Sequence, residues 1–138
     1  MVVQKSLKFT TPGRGSLEIT HDVNTLVMES GIAQGICNLF VLHTSASLMI
    51  CENADPSVRV DLETVLGRLA PDGDPAFLHT TEGPDDMAAH ARTVLTDSSL
   101  SLPVDRSCCV LGTWQGIYLW EHRNHPHRRR VLITVYGE

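Results

Sequence analysis

An α+β domain is what this sequence predicts, with mostly antiparallel strands packed in a sandwich-like sheet arrangement and two or three short helices. Three observations lead there. Strand-like runs open the chain, helical periodicities fill its middle and strands close it, an order that favours antiparallel pairing over a doubly wound parallel sheet. With 138 residues, 42% hydrophobic and 20% charged, the chain is long enough for a real core and too apolar for wholesale disorder. No repeat, low-complexity tract or linker divides it, so residues 1–138 are expected to form one domain.

The elements follow in order. VVQKSLKFT and SLEIT read as two short strands around a Gly/Pro turn. HDVNTLVMESG places Val23, Leu26, Val27 and Met28 on a helical face, with Asp22 as N-cap and Gly31 as the stop. Residues 36–43 and 46–51 are apolar, β-rich runs, expected to join at a tight turn or bulge that leaves His43 at a strand end. DPSVRVDLETVLGRLAP is the clearest helix, with Asp55 as cap, Pro56 in the first turn, Val58, Leu62, Val65, Leu66 and Leu69 at helical spacing, and Pro71 as stop. PDDMAAHARTVL is a second helix opened by Pro84, which sets Asp86 and His90 on one face. SLSLPV, SCCVLG, QGIYLWEH and RRVLITVYG then supply four closing strands, the last two joined by a basic, His-rich loop.

Charge and cysteine usage exclude several classes. A formal net charge of −5 argues against a phosphate-tracking nucleic-acid surface. Residues 121–130 carry +3, leaving −8 for the rest, and such a local basic loop on an acidic body suits a small anion. Cys37, Cys51, Cys108 and Cys109 form no C-x-x-C pair and lie in apolar runs, where thiols usually pack as small hydrophobes. No stretch has the length of a signal-peptide core or a membrane span, so a reducing, cytoplasmic setting is expected, without membrane partners.

The chemistry concentrates in two runs, HTSASLMICENAD at 43–55 and HTTEGPDDMAAH at 79–90, which hold His43, His79 and His90 with Glu52, Asp55, Glu82, Asp85 and Asp86. Imidazoles and carboxylates together are the ligand set of borderline and hard divalent metals. A hairpin between the strands at 36–43 and 46–51 would bring Glu52 near His43. The Asp86–His90 pair could be an orienting carboxylate–imidazole couple or part of a shared metal site. The bland alternatives are a structural histidine at a strand end and an acidic helix start that complements the macrodipole. In GTWQG, the glycines at 112 and 116 permit a close backbone approach that lets Trp114 and Gln115 line a cleft, with Glu121 facing it; the alternative is a turn beside a core Trp. The loop at 122–130 reads first as a polar hairpin and second as an anion site.

These blocks, with SLSLPV and LGTWQGIYLWEHR, resemble in order and separation the YjbQ-like family over essentially the whole chain. The resemblance implies a small α+β domain, a homotrimer and secondary thiamine-phosphate synthase activity. Its polar signature falls on His43, Thr44, Glu52, Asn53, Asp55, His79, Glu82, Asp86, His90, Gly112, Thr113, Trp114, Gln115, Gly116 and Glu121. Cys51 stands where similar proteins carry a polar residue.

Together the chemistry and the resemblance give a set of expectations. His43, His79 and His90 hold a divalent metal ion, zinc or magnesium. Glu52 and Asp86 are the acid/base or orienting carboxylates, and Thr44, Asn53, Trp114, Gln115 and Glu121 contact a small phosphorylated substrate. The expected reaction joins a pyrimidine pyrophosphate to a thiazole phosphate, with the metal and the 123–130 loop neutralising pyrophosphate and Trp114 stacking on a ring. Metal-dependent hydrolysis of a phosphorylated metabolite and a non-catalytic trimeric binding module are the alternatives.

Overall fold

The computed structural model describes residues 1–138. Eight strands and three helices follow one another as β1 (Val2–Thr11), β2 (Gly15–Glu18), α1 (Thr20–Glu29), β3 (Gln34–Val41), β4 (Ala46–Glu52), α2 (Pro56–Leu69), α3 (Asp86–Leu95), β5 (Ser99–Asp105), β6 (Cys108–Cys109), β7 (Gln115–Glu121) and β8 (His127–Gly137). They form two antiparallel sheets, ordered β1-β8-β3-β5-β6 and β2-β7-β4. The expected α+β class and sandwich-like packing are both present.

The core lies between the sheets. Alternation on β8 sends Val131, Ile133 and Val135 inward, where they meet Cys37, Leu39 and Val41 of β3 and Leu102 and Val104 of β5. Ala46 and Leu48 of β4 and Ile117 and Leu119 of β7 close it from the other sheet, and Val23, Leu26 and Val27 of α1 seal one side. β7 is buried on both faces, because Tyr118 and Trp120 pack with Met49 into a second cluster under Leu62 and Leu66 of α2. Each fully buried Leu or Ile contributes about 1.5–3 kcal/mol relative to exposure.

Pairing departs from the expected hairpins in three places. β1 pairs with β8 and β2 with β7, so the Gly/Pro turn at 12–14 crosses between sheets. β3 and β4 also belong to different sheets, and residues 42–45 carry the chain across the core. The basic segment 122–126 does the same between β7 and β8 instead of closing a hairpin. One physical reason covers all three: each run buries one face in the same core, and two such faces are satisfied as well from opposite sheets as within one.

Helix ends were partly foreseen. Asp55 caps α2, its carboxylate accepting the Ser57 N–H at 2.9 Å, and Gly31 stops α1 at φ +75°, where a side chain would be strained. α1 begins at Thr20, which places Asp22 in the first turn instead of at the cap. α3 begins at Asp86, not Pro84, because Asp85 spends its carboxylate on Arg123 and Asn124. On α2 only Leu66 is fully buried, and Val65 and Leu69 are exposed. Of the four free cysteines, Cys37 and Cys109 are buried as expected, Cys51 is half-buried and Cys108 is exposed. No helix is long and apolar enough to cross a membrane.

Candidate functional site

α3 and the loop before it create the densest polar cluster. Asp86 opens the helix and His90 lies one turn on, so both project from the same face. His79 reaches in from the loop. Its Nε2 lies 2.7 Å from Asp86 Oδ2, and His90 Nε2 lies 3.2 Å from the same oxygen. The two rings meet edge to face with centroids 5.4 Å apart. One ligand atom from each of His79, Asp86 and His90 falls within 4.8 Å of the others. A pocket of about 370 Å³ opens beside them, lined by His79, Thr80 and Phe77 with Gly73 and Pro84.

Two fixed partners shape this cluster. His90 Nδ1 lies 3.0 Å from the Thr44 carbonyl; a carbonyl only accepts, so Nδ1 carries a proton and donates it there, while Nε2 faces Asp86. Arg123, just beyond β7, grips both acids, donating through Nη1 to Asp86 Oδ1 and through Nε to Asp85 Oδ2, each at 2.9 Å. Burial opposes ionisation of Asp85, but the Arg123 bonds and the Asn124 N–H outweigh it and hold the carboxyl down at about 2. Asp86 is likewise buried, and the His79 bond with the charges of His90 and Arg123 keeps it below the usual carboxylate range. The result is two anchored carboxylates, one of which presents an oxygen to two imidazoles.

His43 does not join this cluster, which corrects the three-histidine expectation. Its ring turns to β8, where Nε2 accepts the Arg130 N–H at 2.8 Å, and a lone pair so engaged is unavailable to a cation. Burial and the nearby Arg129 charge push His43 below its usual range. Thr44, one residue on, serves the site through its carbonyl, as the tether of His90.

Glu121 is also redirected. It is buried with Arg129 as an ion pair, accepts the Thr11 hydroxyl at 2.6 Å and takes the Arg123 N–H at 3.1 Å. Burial alone would raise its pKa, yet Arg129 and Thr11 hold it below the usual value. It supports the Arg123 turn and faces no cleft.

Glu52, Asn53, Trp114 and Gln115 collect elsewhere. Along the β4–β7 pair, Ala46 faces Glu121 at one end and Glu52 faces Gln115 at the other. Six residues of strand rise separate the two ends, about 20 Å. Glu52 is therefore not beside His43; the hairpin that would have joined them does not form. Instead Glu52 Oε2 accepts the N–H groups of Ala54 and Asp55, and the Asn53 amide donates to the carbonyls of Thr113 and Gln115. Gln115 Oε1 takes the Gly112 N–H at 2.8 Å. At Gly116 a Cβ would lie 3.0 Å from the buried Tyr118 ring and 3.3 Å from Asn53 Cβ, so a side chain there would crowd both. Trp114 stands out from this locked loop, 62% exposed. Cys51 packs beside the Tyr118–Trp120 cluster and lines no part of the His79 pocket.

Two features escaped the sequence. Arg123 read as one cation of a basic loop, whereas its clamp on Asp85 and Asp86 needs the sheet crossing at 122–126. Buried His122 bonds Ser47 at 2.8 Å, and Ser47 accepts the Thr96 hydroxyl at 2.7 Å. Nothing in the spacing of those three residues announces that chain.

Comparison with known proteins places this geometry. The model of the UPF0047 protein YjbQ-like family matches residues 5–138. The chain belongs to that family. It is 44% identical to UPF0047 protein sll1880 of Synechocystis over 98% of this chain and 92% of the relative. It is 40% identical to UPF0047 protein YjbQ of Escherichia coli over the full length of both. Among solved structures, a conserved hypothetical protein from Thermus thermophilus superposes with TM-score 0.86 at 33% identity, covering 96% of this chain and 99% of that one. A protein of unknown function from Sulfolobus solfataricus reaches 0.87 over the whole of both chains at 23% identity, a likeness of fold alone. The same fold thus recurs in a bacterial and an archaeal protein.

Proposed function

We propose that the chain is a metal-dependent enzyme acting on a small phosphorylated metabolite, with a divalent cation held by Nε2 of His79, Nε2 of His90 and Oδ2 of Asp86. The observation that carries this reading is the His90 tether: with a proton held on Nδ1 by Thr44, the ring turns Nε2 to the carboxylate oxygen that His79 Nε2 also approaches, 3.2 Å away. A ring nitrogen and a carboxylate oxygen so placed hold either a proton or a cation between them. Imidazoles oriented by a backbone carbonyl are typical of metal ligands, and two nitrogens with one oxygen suit zinc better than magnesium, which prefers oxygen alone. Bound there, a cation supplies Lewis acidity toward a phosphoryl oxygen or a coordinated water.

The chain's own residues divide the remaining work. Arg123 is committed to Asp85 and Asp86, so it stiffens the site and is not the phosphate clamp. Lys8, Arg128 and Arg130, exposed near the same end and without carboxylate partners, are the cations left for a pyrophosphate group. Within this frame we favour transfer of a pyrimidine from its pyrophosphate to a thiazole phosphate, the reaction the family resemblance implies. Hydrolysis is the second reading, supported by the 46% exposure of the His79 side chain, which leaves the site open to water. A homotrimer and a reducing cytoplasmic setting accompany the proposal, the latter supported by four free cysteines.

The test uses purified protein, stripped and reloaded with zinc or magnesium, against each phosphorylated partner alone and both together. A joined product that requires both partners and the metal supports transfer. Phosphate or pyrophosphate release from one partner supports hydrolysis, and binding without turnover supports a capture module. Absence of any divalent ion bound at micromolar concentration would sink the cation site.

A further inference from the structure

We infer that the cavity beside His79 is an organic-cation subsite, in which Asp74 and Phe77 take the ammonium group of a ligand whose phosphoryl group sits at the neighbouring metal site. The inference deepens the proposed reading, on which its phosphoryl half rests; the ammonium half rests on the cavity alone.

One closed loop builds the cavity. Gly73 N donates to the Pro84 carbonyl at 2.9 Å, which draws the ends of residues 73–84 together in the manner of an Ω-loop. Glycine makes the bend at both ends, with φ +68° at Gly73 and +100° at Gly83, where a side chain would be strained. Just outside this neck, Asp72 receives two bonds from Arg14, at 2.7 and 2.9 Å, and Asp85 is held by Arg123. Asn124 ties the two sides, its amide donating to Asp72 at 3.3 Å and its N–H to Asp85 at 2.9 Å. The cavity of about 370 Å³ is therefore shaped before any ligand arrives, which lowers the ordering cost of binding.

The lining selects the charge of the occupant. Asp74 is its only carboxylate, Phe77 supplies its one apolar aromatic ring, and no Lys or Arg faces it. Oδ1 of Asp74 accepts the Ala76 N–H at 2.9 Å and the Asp74 carbonyl accepts the Phe77 N–H at 3.0 Å, a local turn that fixes both residues. Oδ2 has no partner within the chain. No cation pairs with Asp74 either, because the guanidiniums of Arg14 and Arg123 are engaged by Asp72, Asp85 and Asp86. An uncompensated carboxylate repels a phosphoryl group and attracts an ammonium group, and the face of an aromatic ring adds to that attraction. A neutral hydroxylated ligand would gain only a hydrogen bond there. His79 belongs to both places, lining the cavity and lying 2.7 Å from Asp86. One small ligand can thus carry its phosphoryl group at the metal and its ammonium group in the loop.

Two measurements keep this inference separable from the metal reading. In metal-free protein at roughly 0.05 M salt, ethanolamine and choline should shift the amide NMR signals of Phe77, Thr80 and Gly83, and raising salt to roughly 0.5 M should weaken the effect. Ethylene glycol at the same concentration should leave those signals in place. In zinc-loaded protein, 2-aminoethyl phosphate should bind at least about tenfold more tightly than 2-hydroxyethyl phosphate by calorimetry. Asp74→Asn should abolish that preference and leave the affinity for the hydroxyl compound unchanged; it keeps the acceptor for the Ala76 N–H, so the loop should persist, which the amide spectrum verifies. Silent amides in the metal-free titration, equal affinities for the two phosphates, or a preference that survives Asp74→Asn overturns the inference. A protein that takes up no zinc defeats the metal reading, and the metal-free titration still decides the ammonium subsite.

Discussion

Acidification should unfold this protein partly through His122. The ring is fully buried between the β4–β7 pair and α3, its Nε2 engaged with Ser47 Oγ and its Nδ1 without any partner. Burial first, then the positive Arg92, with Arg14 and Arg129 adding to Arg92 and Glu121 opposing, pushes its pKa down to about 3. In the unfolded chain the same group titrates near 6.5. The unfolded state therefore takes up a proton below pH ~6.5 that the folded state refuses until about pH 3. Stability from this group is full above pH ~6.5 and falls as pH drops, by about 1.4 kcal/mol per unit, which amounts to roughly 2–3 kcal/mol by pH ~4.5. His122→Gln keeps a hydrogen-bonding group near Ser47 and removes the titration. Urea unfolding of both proteins from pH ~8 to ~4.5, at one protein concentration, isolates the effect, because every other titrating group is common to both. The stability advantage of the wild-type chain should shrink by that 2–3 kcal/mol across the window. Parallel profiles would show that His122 does not remain neutral in the folded protein, and the reasoning would fail.

Two more outcomes follow from the site. His79→Ala and His90→Ala should each reduce zinc content by at least roughly tenfold, while His43→Ala, whose ring is engaged by the Arg130 N–H, should keep it; elemental analysis after dialysis decides, and loss in His43→Ala alone would return that residue to the ligand set. Arg123→Met should destabilise the fold by roughly 3–5 kcal/mol, since it removes the one cation paired with buried Asp85 and the guanidinium partner of buried Asp86, and should do so less at acidic pH where they are protonated. An Arg123→Met transition unchanged from wild type in thermal unfolding at neutral pH would mean that the clamp contributes nothing.

Local patterns made much of this molecule legible. Period-two alternation located β5 and β8, the apolar run Ile117–Trp120 located β7, the Asp–Pro start and apolar spacing located α2, and the four-residue interval between Asp86 and His90 placed both on one helix face. His79 and Asp86 were also within reach of sequence reasoning, because a short loop and a helix start can meet only nearby. Pairing was not legible. A strand that buries one face satisfies its pattern equally from either sheet, so the sequence could not show that β3 and β4, or β7 and β8, lie on opposite sides of the core.

That ambiguity accounts for the errors in the site. His43 and Glu52 were joined by a hairpin that does not form, and the fold instead sends Glu52 with Trp114 to one end and leaves His43 against β8 at the other. Arg123 acquires its role only because the crossing at 122–126 carries it over α3, and His122, Ser47 and Thr96 meet only because β4, β7 and α3 pack together. Sequence by itself determined the fold class, most elements and the gathering of imidazoles and carboxylates in the 79–90 run, since these depend on backbone periodicity and side-chain type within a few turns. Tertiary structure alone decided which imidazole faces Asp86, which carboxylates are clamped and which end carries Trp114, because those outcomes depend on which sheet each strand joins.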